Sequence, residues 1–232
     1  MQMTEGQAIS QALSIKVDRS IKTLRELTLD KVRLAILNQY FKPGQRLIER
    51  SLCEELGVSR TVVREVLRHL ETEGLVQSVP QQGPIVAVID SDTTRQIYEL
   101  RSLLEGHAAS GCAGKRTEQD IASMKAALVS IEAAFGRQDY QGVMEATTHF
   151  YSTMFHAAGD TMAWEIVTSL NARINRLRLI TISSANRGVA APSEMHTLLA
   201  AIERGDETAA AHAAREHVQK AQSIAMKHIA SM

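Results

Sequence analysis

Three arginines, Arg60, Arg64 and Arg68, recur at every fourth residue in the stretch SRTVVREVLRHLETEG. Between them Val63, Val66, Leu67 and Leu70 follow the i, i+3, i+4, i+7 pattern of a buried helical stripe. The arginines therefore occupy a separate ridge of the same helix, with Thr61 beside them. A guanidinium offers two parallel N–H donors that match O6 and N7 on the major-groove edge of guanine, a contact that discriminates by about 1–3 kcal/mol. Arg60 and Arg64 stand in the first two turns, the part of a recognition helix that meets base edges. An arginine ridge alone describes any solvated helix face, so the reading depends on its surroundings.

A second candidate is Arg101. Its helix buries Ile97, Leu100, Leu104 and the Ala108 side, and Arg101 lies beside that stripe, where a cavity could open. A cation in an apolar pocket calls for an anion, and a carboxylate bound through two N–H groups is its natural partner. The alternative is an internal ion pair with Glu105, one turn on. A further arginine group, Arg173, Arg176 and Arg178, offers a second cation, or for Arg173 and Arg176 a surface role.

The elements that must position the first ridge are marked by punctuation. A Pro43-Gly44 turn precedes two helices over about Glu49–Leu56 and Ser59–Glu73, joined at Gly57-Val58. Gly57 supplies the left-handed conformation that ends the first helix, and the Ser59 hydroxyl caps the second. The small Cys53 lies where the two helices would approach most closely. After Gly74 come two strand-like runs, Val76–Val79 and Ile85–Ile89, around Gln81-Gln82-Gly83, which form a hairpin wing. Helix, two-residue turn, arginine-bearing helix and wing together define a winged helix-turn-helix that binds DNA.

Beyond Asp90 the chain turns Ala- and Leu-rich with helical periodicity. Breaks near Gly111–Arg116, Gly136–Asp139, Gly159-Asp160, Asn186–Pro192 and Gly205-Asp206 divide it into an all-α antiparallel bundle of about six to seven helices. The DSDT segment from Asp90 caps the first of these helices and Asp206 the last. The fold class is thus mainly α, with an arm of uncertain structure at 1–22, a DNA-binding domain at 23–89 and a helical domain at 90–232. In the arm, Leu13, Ile15 and Val17 alternate as in a strand, while Ile9, Leu13 and Val17 share a helical face.

The composition sets limits. With 26 basic and 26 acidic residues the 232-residue chain is formally neutral, and 44% hydrophobic residues supply ample core. Through Ile89 there are 12 basic against 10 acidic residues, and afterwards 14 against 16, so the two halves carry +2 and −2. Neutrality does not exclude DNA; it shifts discrimination from non-specific attraction to base contacts and geometry. No apolar run approaches the roughly 18 residues of a membrane span. Two cysteines without metal spacing and an N-terminus without a basic-then-apolar leader fit the cytoplasm. No nucleophile elbow, P-loop, dinucleotide fingerprint or zinc-protease motif is present, so no reaction suggests itself. The non-enzymatic alternative is a constitutive architectural protein whose bundle only dimerises.

The run Leu56-Gly57-Val58-Ser59-Arg60-Thr61-Val62-Val63-Arg64-Glu65-Val66-Leu67, followed by Leu70, Glu73-Gly74-Leu75-Val76, resembles the winged helix-turn-helix of GntR-family bacterial transcription regulators. Val62 stands where proline is common there. The resemblance implies DNA contacts at Arg50, Ser59, Arg60, Thr61, Arg64 and Gly83, with Arg60 reading bases and Arg50 and Arg64 serving phosphates. Glu99-Leu100-Arg101, Leu104-Glu105 and Ala108-Ala109 resemble the opening helix of the FCD effector domain of the FadR-like subgroup. The implied protein is a homodimer on a palindromic operator, usually a repressor, controlled by a small organic acid.

Many FCD domains hold a metal through an Asp and a His four apart on one helix and one His on each of two later helices. His196 and His217 match the later pair, but Thr147 and Tyr151 stand where the first Asp and His belong. The resemblance therefore implies that the divalent metal, zinc or nickel, is lost. His196, His217 and the Tyr151 hydroxyl would then bond the effector or water, with Arg101 receiving its carboxylate. Satisfied core histidines, or a metal completed by water or effector, are the alternatives.

Overall fold

The computed structural model describes residues 23–88 and 90–230; the arm at 1–22 lies outside the described residues. The chain opens with helix α1 (Leu24–Leu37), which no punctuation announced. It starts from a capping box, in which the Thr23 hydroxyl accepts the Glu26 N–H and the Glu26 carboxylate accepts the Thr23 N–H. Leu29, Val32, Ile36 and Leu37 are buried, but Leu24 and Leu27 remain 59% and 51% exposed, which blurs the stripe in the sequence.

α2 (Glu49–Leu56) and α3 (Arg60–Thr72) follow as expected. Gly57 between them has φ +67°, and the Ser59 hydroxyl accepts the Val62 N–H at 3.4 Å. Strands β1 (Val76–Val79) and β2 (Gly83–Val86) pair antiparallel, Val76 opposite Val86 and Val79 opposite Gly83. The second strand lies two residues earlier than the apolar run suggested. Ala87 still donates in register to the Leu75 carbonyl (2.9 Å), but the ladder ends there because the Leu75 N–H turns to Leu70 (2.9 Å) and the Ala87 carbonyl is taken by Arg176 (2.6 Å). The segment after Pro43 clamps the wing from the other side: Gly44 and Leu47 donate to Val86 and Pro84, and Val86 donates to Gln45. Leu52, Val63, Val66, Leu67, Leu70 and Leu75 form the core beneath.

Seven helices follow: α4 (Ser91–Lys115), α5 (Glu118–Gly136), α6 (Tyr140–Ala158), α7 (Thr161–Ser169), α8 (Asn171–Ile182), α9 (Arg187–Arg204) and α10 (Glu207–Ala230). Asp90 caps α4 through Thr93, and Asp206 accepts the Ala209 N–H at the start of α10. Two boundaries differ from the sequence reading. Pro192 lies inside α9, which starts at Arg187 from a left-handed Asn186. The α7–α8 junction at Leu170 has no glycine, proline or side-chain cap to mark it. Helix α4 packs against α6 and α10, and α5 against α6. Helix α8 serves two cores, with Ala172 and Leu179 packed on the DNA-binding side and Ile174 and Leu177 in the bundle.

Gly57 and Gly74 both hold positive φ, but a Cβ on Gly57 meets open space while one on Gly74 would overlap the Arg173 guanidinium of α8. Gly57→Ala is expected to cost about 1–2 kcal/mol for the left-handed backbone alone, and Gly74→Ala more. Urea denaturation should show the excess vanish when Arg173→Ala accompanies Gly74→Ala; an excess that persists contradicts this packing.

Candidate DNA-binding surface and effector cavity

On α3, burial of Val63, Val66, Leu67 and Leu70 turns Arg60, Thr61, Arg64 and Arg68 outward, all exposed. Their environments differ. Among the described residues Arg60 has no hydrogen-bond or ion-pair partner, so its whole fork is available. The Arg64 Nε instead donates to both oxygens of Glu49 at 3.0 and 2.9 Å, which fixes it across the two helices. Arg50 pairs with Glu54 at 3.0 Å, one turn along α2. Both pairs are exposed, so phosphate can compete for these arginines at little cost. The wing turn carries exposed Gln81 and Gln82, with left-handed Gln81 and Gly83 at φ 66° and 79°. Recognition helix and wing thus face solvent together, as a reader of a duplex groove and its flanking backbone requires.

The bundle encloses a cavity of about 40 Å³, room for only about two waters. Its walls include Arg101 of α4, Thr147 of α6, Arg178 of α8, Arg187 and Met195 of α9, and His217 of α10. Arg101 is 3% exposed and its Nε donates to Glu105 at 2.7 Å, so the internal ion pair forms at the cavity wall itself. Burial opposes the Arg101 charge, but Glu105 and the oxygens of Tyr151 and Tyr98 together outweigh it and hold the guanidinium more firmly protonated than usual. Arg187 bonds Glu194 at 2.9 Å, and the same carboxylate meets His217 Nδ1 at 2.8 Å.

Arg178 is left over. It is 8% exposed, and its hydrogen-bond partner is the Asn175 side-chain oxygen at 3.2 Å; among the described residues no carboxylate lies within ion-pair distance. Burial, aided by repulsion from Arg101, pushes its pKa down to about 10, which still leaves it charged at neutral pH. Its guanidinium lies 5.5 Å over the Tyr151 ring, and that of Arg101 lies 5.3 Å over Tyr98. The Tyr98 hydroxyl is buried with no hydrogen-bond partner among the described residues, and the Tyr151 hydroxyl is buried facing the Glu105 carboxylate without a well-formed hydrogen bond. Burial pushes both phenols up, the Glu105 carboxylate adding to the effect, so both stay neutral and able to donate. Three buried guanidinium groups, Arg101, Arg178 and Arg187, share two carboxylates, Glu105 and Glu194, and this surplus of positive charge at the cavity wall favours a small anion as guest.

Of the expected residues, Arg101, Thr147 and His217 line this cavity, Tyr151 lies behind it against Arg178, and His196 is not part of it. His196 is exposed on the outer face of α9 and bonds Glu132 at 2.8 Å. Met195 takes the inward position one residue earlier, 2% exposed. The stripe Ala191, Met195, Leu198, Leu199, Ile202 sets that face and was readable in the sequence. A hydroxyl, a phenol, a thioether and an imidazole already engaged by Glu194, beside uncompensated Arg178, do not fit a zinc or nickel ion. Among the described residues no group of three or more His, Cys, Asp or Glu is placed to hold a metal. Arg178, one of the three arginines offered as a second cation, is the one at the cavity wall, and Tyr98 is the nearby residue the sequence reading did not name. Their signal was an arginine and a tyrosine recurring inside otherwise apolar helical faces.

A winged helix-turn-helix joined to an all-helical bundle is the architecture of a DNA-binding transcription regulator. Residues 24–86 match the family of bacterial regulatory proteins called gntR, and residues 96–220 match the FCD domain. The chain belongs to the GntR family, in its FCD-bearing, FadR-like branch. It is 30% identical to the Nta operon transcriptional regulator of Aminobacter aminovorans over 185 residues, 79% of this chain and 86% of that one. It is 24% identical to the HTH-type transcriptional repressor RspR of Escherichia coli K12 over 189 residues, 82% and 83% of the two chains. Among solved structures, Escherichia coli McbR/YncC superposes with a TM-score of 0.71 at 23% identity, covering 90% of this chain and 99% of that one. A GntR regulator from Rhodococcus sp. RHA1 does so at 0.72 and 23%, over 88% and 97%. These relatives are regulators of transcription, not enzymes. Among the described residues no helix is long and apolar enough to cross a membrane.

The His217–Glu194 pair predicts a pH dependence. Burial disfavours the His217 imidazolium and lowers its pKa below 6.5 despite the Glu194 hydrogen bond. Burial works against the Glu194 carboxylate, but His217 and Arg187 hold it below the usual carboxylate range. Both groups take up protons more readily in the unfolded chain. Stability from this pair is therefore complete above the ordinary imidazole value and is lost as pH falls below it. Thermal melts between about pH 7.5 and 5 should show Tm falling, and His217→Gln should flatten the part that begins in the ordinary histidine range. Equal slopes for the two proteins would refute the assignment.

Proposed function

We propose that this chain is a sequence-specific repressor, acting in the cytoplasm as a homodimer on a palindromic operator and controlled by a small carboxylate held in the bundle. Residues 23–89 are its DNA-binding domain and 90–232 its effector-binding and dimerisation domain. The uncompensated Arg178 at the cavity wall is the observation that carries the effector reading. Arg178 receives the carboxylate, while Arg101, already paired with Glu105, lines the same space. On DNA, unpartnered Arg60 reads bases, and Arg50 and Arg64 exchange their surface carboxylates for phosphates. Ser59, Thr61 and Gly83 set the register of helix and wing. One recognition helix per chain reads one half-site, which supports a two-fold assembly, and the repressor named among the relatives supports the sign of control.

The experiment uses a duplex selected by the full-length protein from a random library, with binding followed by fluorescence anisotropy. Arg60→Ala should weaken the selected duplex by about 10–100-fold and random DNA much less. In a panel of small mono- and dicarboxylates, at least one should release the duplex and raise Tm, stabilising by about 2.7 kcal/mol at 100 times its Kd. Arg178→Met should remove both responses. Tight duplex binding with a Tm indifferent to the whole panel would identify a constitutive DNA-binding protein instead.

A further inference from the structure

Arg176 and Arg178 lie two residues apart on α8, about 200° around the helix, and so address opposite sides. Arg178 lines the cavity; Arg176 leaves the bundle and its Nη1 donates to the Ala87 carbonyl at 2.6 Å, just beyond the wing. Arg173, on the Arg176 side, covers Gly74, the residue linking recognition helix to wing. Ala87 in turn donates to Leu75, whose N–H bonds Leu70 in the last turns of α3. A short hydrogen-bonded path therefore runs from α8 to the base of the recognition helix.

We propose that α8 couples the cavity to the DNA-binding domain, and that Arg176 on the Ala87 carbonyl is the positioning contact through which cavity occupancy moves the wing. The proposal rests on the effector reading of the cavity and adds how its occupancy is transmitted.

Three features favour a switch over a passive brace. The cavity is narrow, with about 40 Å³ open to water, and Arg178 is the wall group on which an entering anion pulls. Helix α8 has no side-chain N-cap at Leu170, and it shares side chains with both cores. Finally, Arg176 is 9% exposed, bonded to one neutral carbonyl and paired with no carboxylate among the described residues. Burial lowers its pKa to about 10, so it remains charged. A buried charge held by one acceptor is kept only while that bond is intact. Beside it opens a cleft of about 400 Å³ between the domains, lined also by Arg173, Gln77, Ser78 and Asp90, where the guanidinium can reach water. Bonded and released states are thus discrete, and the two sites bias the same equilibrium.

Hydrogen exchange read by mass spectrometry on the full chain tests this without knowledge of the effector, because Arg178→Met perturbs the cavity side of α8 directly. Exchange at residues 74–88 should change by about fivefold. That change should disappear when Arg176→Met is also present, while altered exchange in α4 and α8 persists. An unchanged 74–88 segment beside an altered α4, or the same change in both backgrounds, overturns the proposal. Circular dichroism checks folding of each variant; should Arg176→Met not fold, Arg176→Gln, uncharged and too short to reach Ala87, replaces it with the same two outcomes. A chain that shows this coupling yet binds no carboxylate in the panel keeps the α8 linkage and loses the effector reading.

Discussion

A guanidinium buried without a carboxylate governs the helical domain. Charges taken from water are retained only when paired or hydrogen-bonded. Around the cavity Arg101 is answered by Glu105, and Arg187 by Glu194, which also takes His217. Arg178 has the Asn175 amide and the face of Tyr151, and feels Glu105 only from beyond ion-pair distance. The surrounding helices maintain this imbalance, since Met195 and Thr147 place no anion beside it. A site in this electrostatic state is poor for a cation and prepared for an anion.

The DNA-binding side follows a different constraint, the fixed angle between α2 and α3. Left-handed Gly57 and the Ser59 cap set it, and the stripe Val63, Val66, Leu67, Leu70 decides which face of α3 turns outward. The arginine ridge is exposed because the other side is buried. Formal neutrality of the chain is compatible with this, since Arg50 and Arg64 carry their own carboxylate partners in the free protein and Arg60 alone among the three is unengaged. Part of the cationic surface is thereby masked in the free protein.

The parts legible in the sequence were those where a residue type admits one backbone solution. Gly57-Val58-Ser59, Gly74, the Asp90 cap and the VQSV strand are of this kind, and each lies where its chemistry places it. Helix α1 escaped because its exposed Leu24 and Leu27 mimic a second apolar face, and the Leu170 junction because nothing but tertiary packing makes it. His196 lies one residue, about 100° of helical rotation, from the inward position, which the apolar stripe gives to Met195. Arg101 and Arg178 could not be ranked from sequence alone. Which of two buried arginines is neutralised depends on Glu105 sharing a face with one of them, and on which faces of α4 and α8 meet.

The central claim, that Arg178 is the anion-receiving group of the bundle, is tested most directly by arginine side-chain NMR of the full-length protein. The Arg178 Nε–H resonance is identified by its loss in Arg178→Lys and then followed while a stabilising carboxylate is added. The account predicts that this resonance moves downfield and exchanges more slowly with water in step with saturation, with the Arg101 signal, already bonded to Glu105, moving less. A carboxylate that saturates the protein while the Arg178 resonance stays in place would contradict it.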